Sequence, residues 1–217
     1  FEVRGVGYDP KGTFCHDGKD CAWEKYSEIV ELTRASMLCN DARLDQNDGQ
    51  WQVHGDPTEG ALVVLGMKAK LDRDAELKQQ PRVDVIPFES EHRFMATLHN
   101  DQEGRGIIYL KGAPEVILNM CSRQRSFQED RPLDMVYWQN RIEQIASRGQ
   151  RTLAIACKAT DAVHRNLQVE DVRDDMILLG LVGIIDPPRG EAIDAVQQCK
   201  TAGIRVKMIT GDHATTA

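Results

Sequence analysis

The sequence predicts an α/β chain of the α+β kind: an antiparallel sheet with flanking helices, followed by a partial βαβ unit. Three observations predict it. Between Val83 and Ala113 short segments rich in β-branched and aromatic residues alternate with polar turns. On both sides of that stretch apolar residues recur at steps of three and four, with helix-start signals ahead of them. The last forty or so residues change character, to an apolar strand, a proline break, a helix and a second strand.

In chain order, Val3, Val6, Tyr8 and Phe14, set around Gly5, Gly7 and Asp9-Pro10, read as an opening strand and turn. From Trp23 the residues Tyr26, Val30, Thr33 and Met37 keep a helical spacing until Asn40-Asp41 stops it. Trp51 to His54 is a short strand. Asp56-Pro57-Thr58-Glu59 then reads as N-cap, first-turn proline and capping-box acid of a second helix carrying Ala61, Leu62 and Leu65. Strands follow over 83–88, 94–99 and 107–111, with the turn at 100–104 between the last two. Pro114 opens a helix with Val116, Ile117 and Met120; another helix spans 135–147, and 152–159 returns to strand. Finally, 177–185 is an apolar strand, Asp186-Pro187-Pro188-Arg189 breaks it, 191–201 is helical, Gly203 caps, and 204–209 is a strand. If those last two strands share a sheet they are parallel, and Thr210-Gly211-Asp212 falls at a carboxyl end, where open α/β sheets place ligands.

The 217 residues suffice for one large or two modest domains. A net charge of -7 argues against a broad nucleic-acid surface, and 41% hydrophobic with 28% charged residues is the balance of an ordinary globular chain. The longest apolar run, Met176 to Ile185, is half the roughly twenty residues that a membrane span needs. The opening residues lack the basic flank and apolar stretch of a signal peptide. Six cysteines without a C-x-x-C pair fit a reducing compartment, and Cys15, His16 and Cys21 are too few to read as a zinc site. No metal ligands are assigned.

Five segments occur in one order: GDPTEGAL at 55–62, PFESEHRFM at 87–95, KGAPE at 111–115, DPPR at 186–189 and TGDH at 210–213. Together they resemble the cytoplasmic ATP-binding region of P-type cation-transporting ATPases, and GVGYDPKG at 5–12 is most similar to the calcium-pump branch. The resemblance covers the whole chain. It implies a nucleotide-binding domain over 1–185 and a piece of the phosphorylation domain, a Rossmann-like unit of the haloacid-dehalogenase kind, over 186–217. The Asp-Lys-Thr-Gly-Thr motif of the phosphorylated aspartate and the Thr-Gly-Asp-Gly-x-Asn-Asp magnesium motif are not in the chain. The expectation is therefore a fragment that binds ATP with its Mg2+ but does not complete transport alone. Its partners would be the remaining phosphorylation, actuator and transmembrane domains of one integral pump of the cell membrane, on the cytoplasmic face.

Each candidate residue has a plainer reading beside the one that the resemblance implies. An aromatic at the position of Phe88 is usually core; the resemblance implies stacking on adenine. Arg93 and Met95 share a strand face with Thr97, opposite Phe94 and Ala96; the resemblance puts the cation near the phosphates and the methionine beneath the base. Lys111 reads as a solvated strand-end charge, or, by resemblance, as lining the adenosine pocket. Gly112 would let backbone approach a ligand beside the helix opened by Pro114. Glu59 is explained by capping, and the resemblance adds a polar contact to adenine. Arg151 reads as a strand-start charge, or as a guanidinium reaching toward phosphate. Asp186, Thr210, Gly211 and Asp212 are the catalytic candidates, by resemblance part of the phosphorylation site, and Asp186-Pro187-Pro188 would be the inter-domain hinge. His54, His92, His99, His164 and His213 share no ligand spacing and read as ordinary polar residues. Sodium/potassium or proton pumping, a free-standing phosphatase and a non-catalytic nucleotide sensor are the alternatives.

Overall fold

The computed structural model describes residues 1–5, 7–101, 103–126, 129–161, 164–185 and 190–207. Strands β1 (Glu2–Val3), β2 (Phe14–His16) and β3 (Lys19–Asp20) form a small antiparallel sheet at the start. A 3-10 turn at Trp23–Lys25 leads into α1 (Ser27–Leu38), the hairpin β4 (Arg43–Asn47) and β5 (Gln50–His54), and helices α2 (Pro57–Lys68) and α3 (Arg73–Gln79). Then come β6 (Arg82–Ile86), β7 (Phe94–Asn100), β8 (Gly106–Gly112), α4 (Pro114–Met120), β9 (Cys121–Ser126), β10 (Glu129–Pro132) and α5 (Met135–Ala146). The chain continues through β11 (Arg151–Thr160), α6 (Val169–Val172), β12 (Met176–Ile184) and α7 (Gly190–Thr201).

Among the described residues the main sheet has seven strands in the order β10-β9-β12-β11-β8-β7-β6. Neighbours run antiparallel except β12 and β9, which are parallel. Because successive side chains of a strand point to opposite faces, β7 sends Phe94, Ala96 and Leu98 to one face and Met95, Thr97 and His99 to the other. The first face packs on Ile117 and Leu118 of α4, Trp138 and Ile142 of α5, and Val172 of α6. The second packs on Leu32, Ala35 and Leu38 of α1, with Leu65 of α2 and Leu77 of α3 beside them. A third cluster, Phe14, Trp23 and Ala69, ties the small sheet to α1 and α2. Burying each large apolar side chain contributes about 1.5–3 kcal/mol, so this two-sided sandwich of helix, sheet and helix holds the site's strands rigid.

The expected terminal unit differs from the structure. The strand at Met176–Ile184 is an interior strand of the main sheet, between β9 and β11. Residues 204–207, expected to begin a partner strand, have no regular structure, and 208–209 lie outside the described residues. Asp186-Pro187-Pro188-Arg189, the expected break and hinge, also lie outside them. Among the described residues no helix is long and apolar enough to cross a membrane.

Candidate functional site

Strand register gathers several of the candidate residues at one end of the main sheet. The end of β6 faces the start of β7, with Ile86 opposite Ala96. Phe94 and Met95 lie opposite Gly112 and Lys111, and Gly112 is opposite Ala154. Arg151, opposite Ile184, starts β11 at that same end. The 87–93 loop carries Phe88 and Arg93 there, and the first turn of α2 brings Glu59 from the second face.

Lys111 is not the solvated edge charge that its place in the sequence suggests. It is 5% exposed, because β8 is an interior strand and its second face lies under the helices. Its ammonium donates to Glu59 Oε1 at 2.5 Å, with the two side chains 7% and 16% exposed. Glu59 is accordingly not the acid of a closed capping box. Asp56 does cap α2, its Oδ1 accepting from the amides of Thr58 and Glu59 at 2.8 and 3.1 Å. The Glu59 carboxylate instead turns to Lys111 and accepts from the Asp41 amide at 3.3 Å through Oε2. Cys39 sits beside them, its thiol donating to the Met95 carbonyl at 3.5 Å. Burial pushes this thiol above its ordinary pKa despite the nearby Lys111 charge.

Phe88, expected to be core on position alone, is 57% exposed. An exposed aromatic at the end of a rigid sheet is a ready stacking surface. Arg93 is not on the strand face with Met95: it precedes β7 in a left-handed conformation, φ +56°. Its amide donates to the Glu89 carbonyl at 2.7 Å and its carbonyl accepts from the Ala113 amide at 3.0 Å, which holds that conformation. The guanidinium donates to Glu115 Oε1 at 2.6 Å. Both partners are more than half exposed, so the pair is weak and can exchange for another anion. Met95 is 1% exposed and packs with Tyr109 and Ile155 in the second-face core. Arg151 is exposed and makes no ion pair with any described residue. Asp186, Thr210, Gly211 and Asp212 lie outside the described residues.

Gly112 also has a packing reason of its own. A Cβ there would stand 2.4 Å from the Arg93 carbonyl oxygen and 2.8 Å from Phe94 Cα, both backbone atoms that cannot swing aside. Gly112→Ala is therefore expected to destabilise the domain by about 2 kcal/mol through overpacking, measured as a lowered urea midpoint. An unchanged midpoint would show that the β7–β8 end has slack.

Sequence reasoning read Asn40-Asp41 only as a helix stop, yet these residues hold Glu59 in place. Their signal was available: a polar pair directly after an apolar helix face has to satisfy that helix's last carbonyls. Among the described residues no three His, Cys, Asp or Glu side chains converge as a metal site.

A family model described as "P-type ATPase, cytoplasmic domain N" matches residues 28–191. The chain belongs to this family. A cation-transporting ATPase of Synechocystis is 42% identical across all of this chain and 24% of its own length. A calcium-transporting ATPase of Bacillus subtilis is 32% identical across all of the chain and 25% of its own. A sodium/potassium exporting P-type ATPase of Schizosaccharomyces pombe is 38% identical across 88% of the chain and 18% of its own. The chain thus spans about a quarter of the length of the first two of these P-type ATPase relatives. The helix–sheet–helix sandwich described above is the architecture of this N domain.

Proposed function

We propose that the chain is the ATP-binding portion of a P-type ATPase that couples ATP hydrolysis to cation transport. Residues 1–185 are the nucleotide-binding domain in this reading, and 186–217 begin the phosphorylation domain. The observation that carries it is Phe88: a large ring left in solvent, on the loop that also carries Arg93 and at the sheet end where Lys111 and Arg151 lie. An aromatic face suits adenine, and guanidinium forks suit phosphate oxygens. Phe88 stacks on the base, Glu59 and Lys111 line the adenosine side, and Arg93 and Arg151 supply positive charge toward the phosphates. Met95, fully buried, shapes the floor from beneath. Magnesium would enter with the nucleotide phosphates. Phosphoryl transfer gains most from positioning and charge, which is what a rigid sheet end provides; the acceptor aspartate belongs to the rest of the pump. Asp186, Thr210, Gly211 and Asp212 are assigned to that phosphorylation site. Calcium is our choice of ion, supported by the opening 5–12 segment and the name of the Bacillus subtilis relative. The whole pump would sit in the cell membrane with this portion on its cytoplasmic face.

The test is an ATP titration of the chain, with GTP as control, followed by amide chemical shifts. Saturable binding with preference for ATP is expected. Phe88→Ala should weaken it by about 5- to 150-fold, the equivalent of the roughly 1–3 kcal/mol that base–aromatic stacking contributes. Absence of binding, or binding indifferent to Phe88, would overturn the reading.

A further inference from the structure

Asn40 is fully buried, yet every polar atom of its side chain is engaged. Its Nδ2 donates to the Ser36 carbonyl at 3.2 Å and to the Glu59 carbonyl at 2.9 Å, while Oδ1 accepts from the Ala42 amide at 2.9 Å. An amide nitrogen carries two hydrogens, so its donors are used up. The next amide along the chain, that of Asp41, donates to Glu59 Oε2 at 3.3 Å. Glu59 is thus gripped at its main chain by one residue and at its carboxylate by the next, which leaves Oε1 aimed at Lys111.

The Asn40 carbonyl has its own anchors. It accepts from Arg73 Nη2 at 2.8 Å and Arg82 Nη2 at 2.6 Å, and Arg82 also reaches the Leu38 carbonyl at 3.3 Å and Asp41 Oδ1 at 2.6 Å. These guanidiniums cap the free carbonyl end of α1 and complement its negative pole. Arg82 begins β6, whose far end feeds the loop bearing Phe88. One buried residue, through its side-chain amide and its main-chain carbonyl, therefore joins α1, α2, α3 and β6 behind the proposed pocket.

We propose that Asn40 is the positioning residue of the nucleotide pocket. It touches no nucleotide; it fixes the direction of the Glu59 carboxylate and, through the ion pair, the place of the Lys111 ammonium. Only a side chain with two donors on one atom and an acceptor on the other satisfies this site. Aspartate would set an acceptor against two carbonyl oxygens, and serine is too short to span them. This inference rests on the ATP-binding reading above.

The test is a double-mutant cycle on the 217-residue chain, with ATP as the probe. Asn40→Ser is expected to raise the ATP Kd by about tenfold and to reduce discrimination against GTP, at temperatures where its amide spectrum remains folded. In a Glu59→Ala background the same change should alter the Kd by less than about twofold, because the group that Asn40 orients is gone. An equal effect in both backgrounds, or a lowered melting temperature with unchanged Kd, would leave Asn40 a structural residue only and overturn the inference. If Asn40→Ser does not fold, Asn40→Asp and Asn40→Gln replace it in the same cycle. Should the unmodified chain fail to bind ATP at all, the functional reading itself falls and the inference with it. Binding that depends on Phe88 but not on the Asn40–Glu59 coupling defeats the inference alone.

Discussion

Lys111→Met is expected to lower the stability of the domain by about 3 kcal/mol, because it strands the Glu59 carboxylate in a place that water hardly reaches. Removing one partner of a buried ion pair typically costs roughly 3–5 kcal/mol, whereas replacing both partners by apolar side chains can be neutral. The low exposure of the two side chains places the pair in that regime. Methionine keeps the length and flexibility of the lysine stem, so packing changes little. Lys111→Met combined with Glu59→Leu should then recover most of the loss while still abolishing the proposed contacts to adenosine. Urea unfolding of the two variants reads the effect directly. A single variant within about 0.5 kcal/mol of the parent would mean that the carboxylate finds solvent.

The second large effect is a loss of stability in mild acid, traceable to His99. The ring is fully buried, with Nδ1 at 2.9 Å from the Gln80 carbonyl and Nε2 at 3.0 Å from Thr97 Oγ1. A carbonyl can only accept, so Nδ1 carries the hydrogen and Nε2 accepts from the Thr97 hydroxyl. Burial, aided by the charge of Arg82 and opposed by the bond to Gln80, holds the pKa down to about 4 against an ordinary 6.5. The unfolded chain takes up a proton below pH 6.5 that the folded chain refuses. The stability contribution is thus complete above pH 6.5 and declines as the pH falls toward 4, by about 3 kcal/mol in total. Other groups titrate nearby with different signs. Asp84 and Asp101 have depressed pKa values, from hydrogen bonds to the Leu167 and Val85 amides and to Arg105 respectively, and lose their contributions only below the ordinary carboxylate range. Glu31, raised by burial, slopes the opposite way. The decisive measurement is the difference between the parent and His99→Gln, whose slope from pH 4 to 6.5 should be shallower by up to one proton. Parallel curves would show that His99 ionises freely.

Local chemistry made much of this fold legible. The N-cap of α2 is where Asp56-Pro57 put it, and the β7–β8 hairpin and α5 stand where alternation and helical spacing placed them. The elements that went unread are those whose existence depends on partners distant in sequence. Cys121–Ser126 and Glu129–Pro132 are polar and charged and do not alternate; they are strands because β12 pairs with one and it pairs with the other. Arg73–Gln79 is a single short charged turn set, stabilised by Asp72 at its start and by docking on α1. The β4–β5 hairpin did carry a signal, Asp48-Gly49, both at positive φ as its tight turn requires. The same distinction runs through the candidate site. Motif order singled out Phe88, Glu59 and Lys111 as candidates. What sequence could not supply was strand order, and strand order is what turns Lys111 from a surface charge into a buried one. Likewise Asn40 sits far from Glu59 in the chain and meets it only after α1 and α2 pack.

The placement of β12 has a consequence for biosynthesis. The last strand of the main sheet to leave the ribosome is not an edge strand; it is the wedge between β11 and the β9–β10 hairpin. Until Met176–Ile184 emerges, a nascent chain can assemble only β6, β7, β8 and β11 as one partial sheet and hold β9–β10 as a detached ribbon. Isolated two-stranded hairpins are marginal in water, and pairing across such sequence distances is slow. Completion of the sheet is therefore deferred to the end of its own translation, and a termination codon or proteolytic nick before residue 176 removes not a margin of the domain but the keystone that joins its halves.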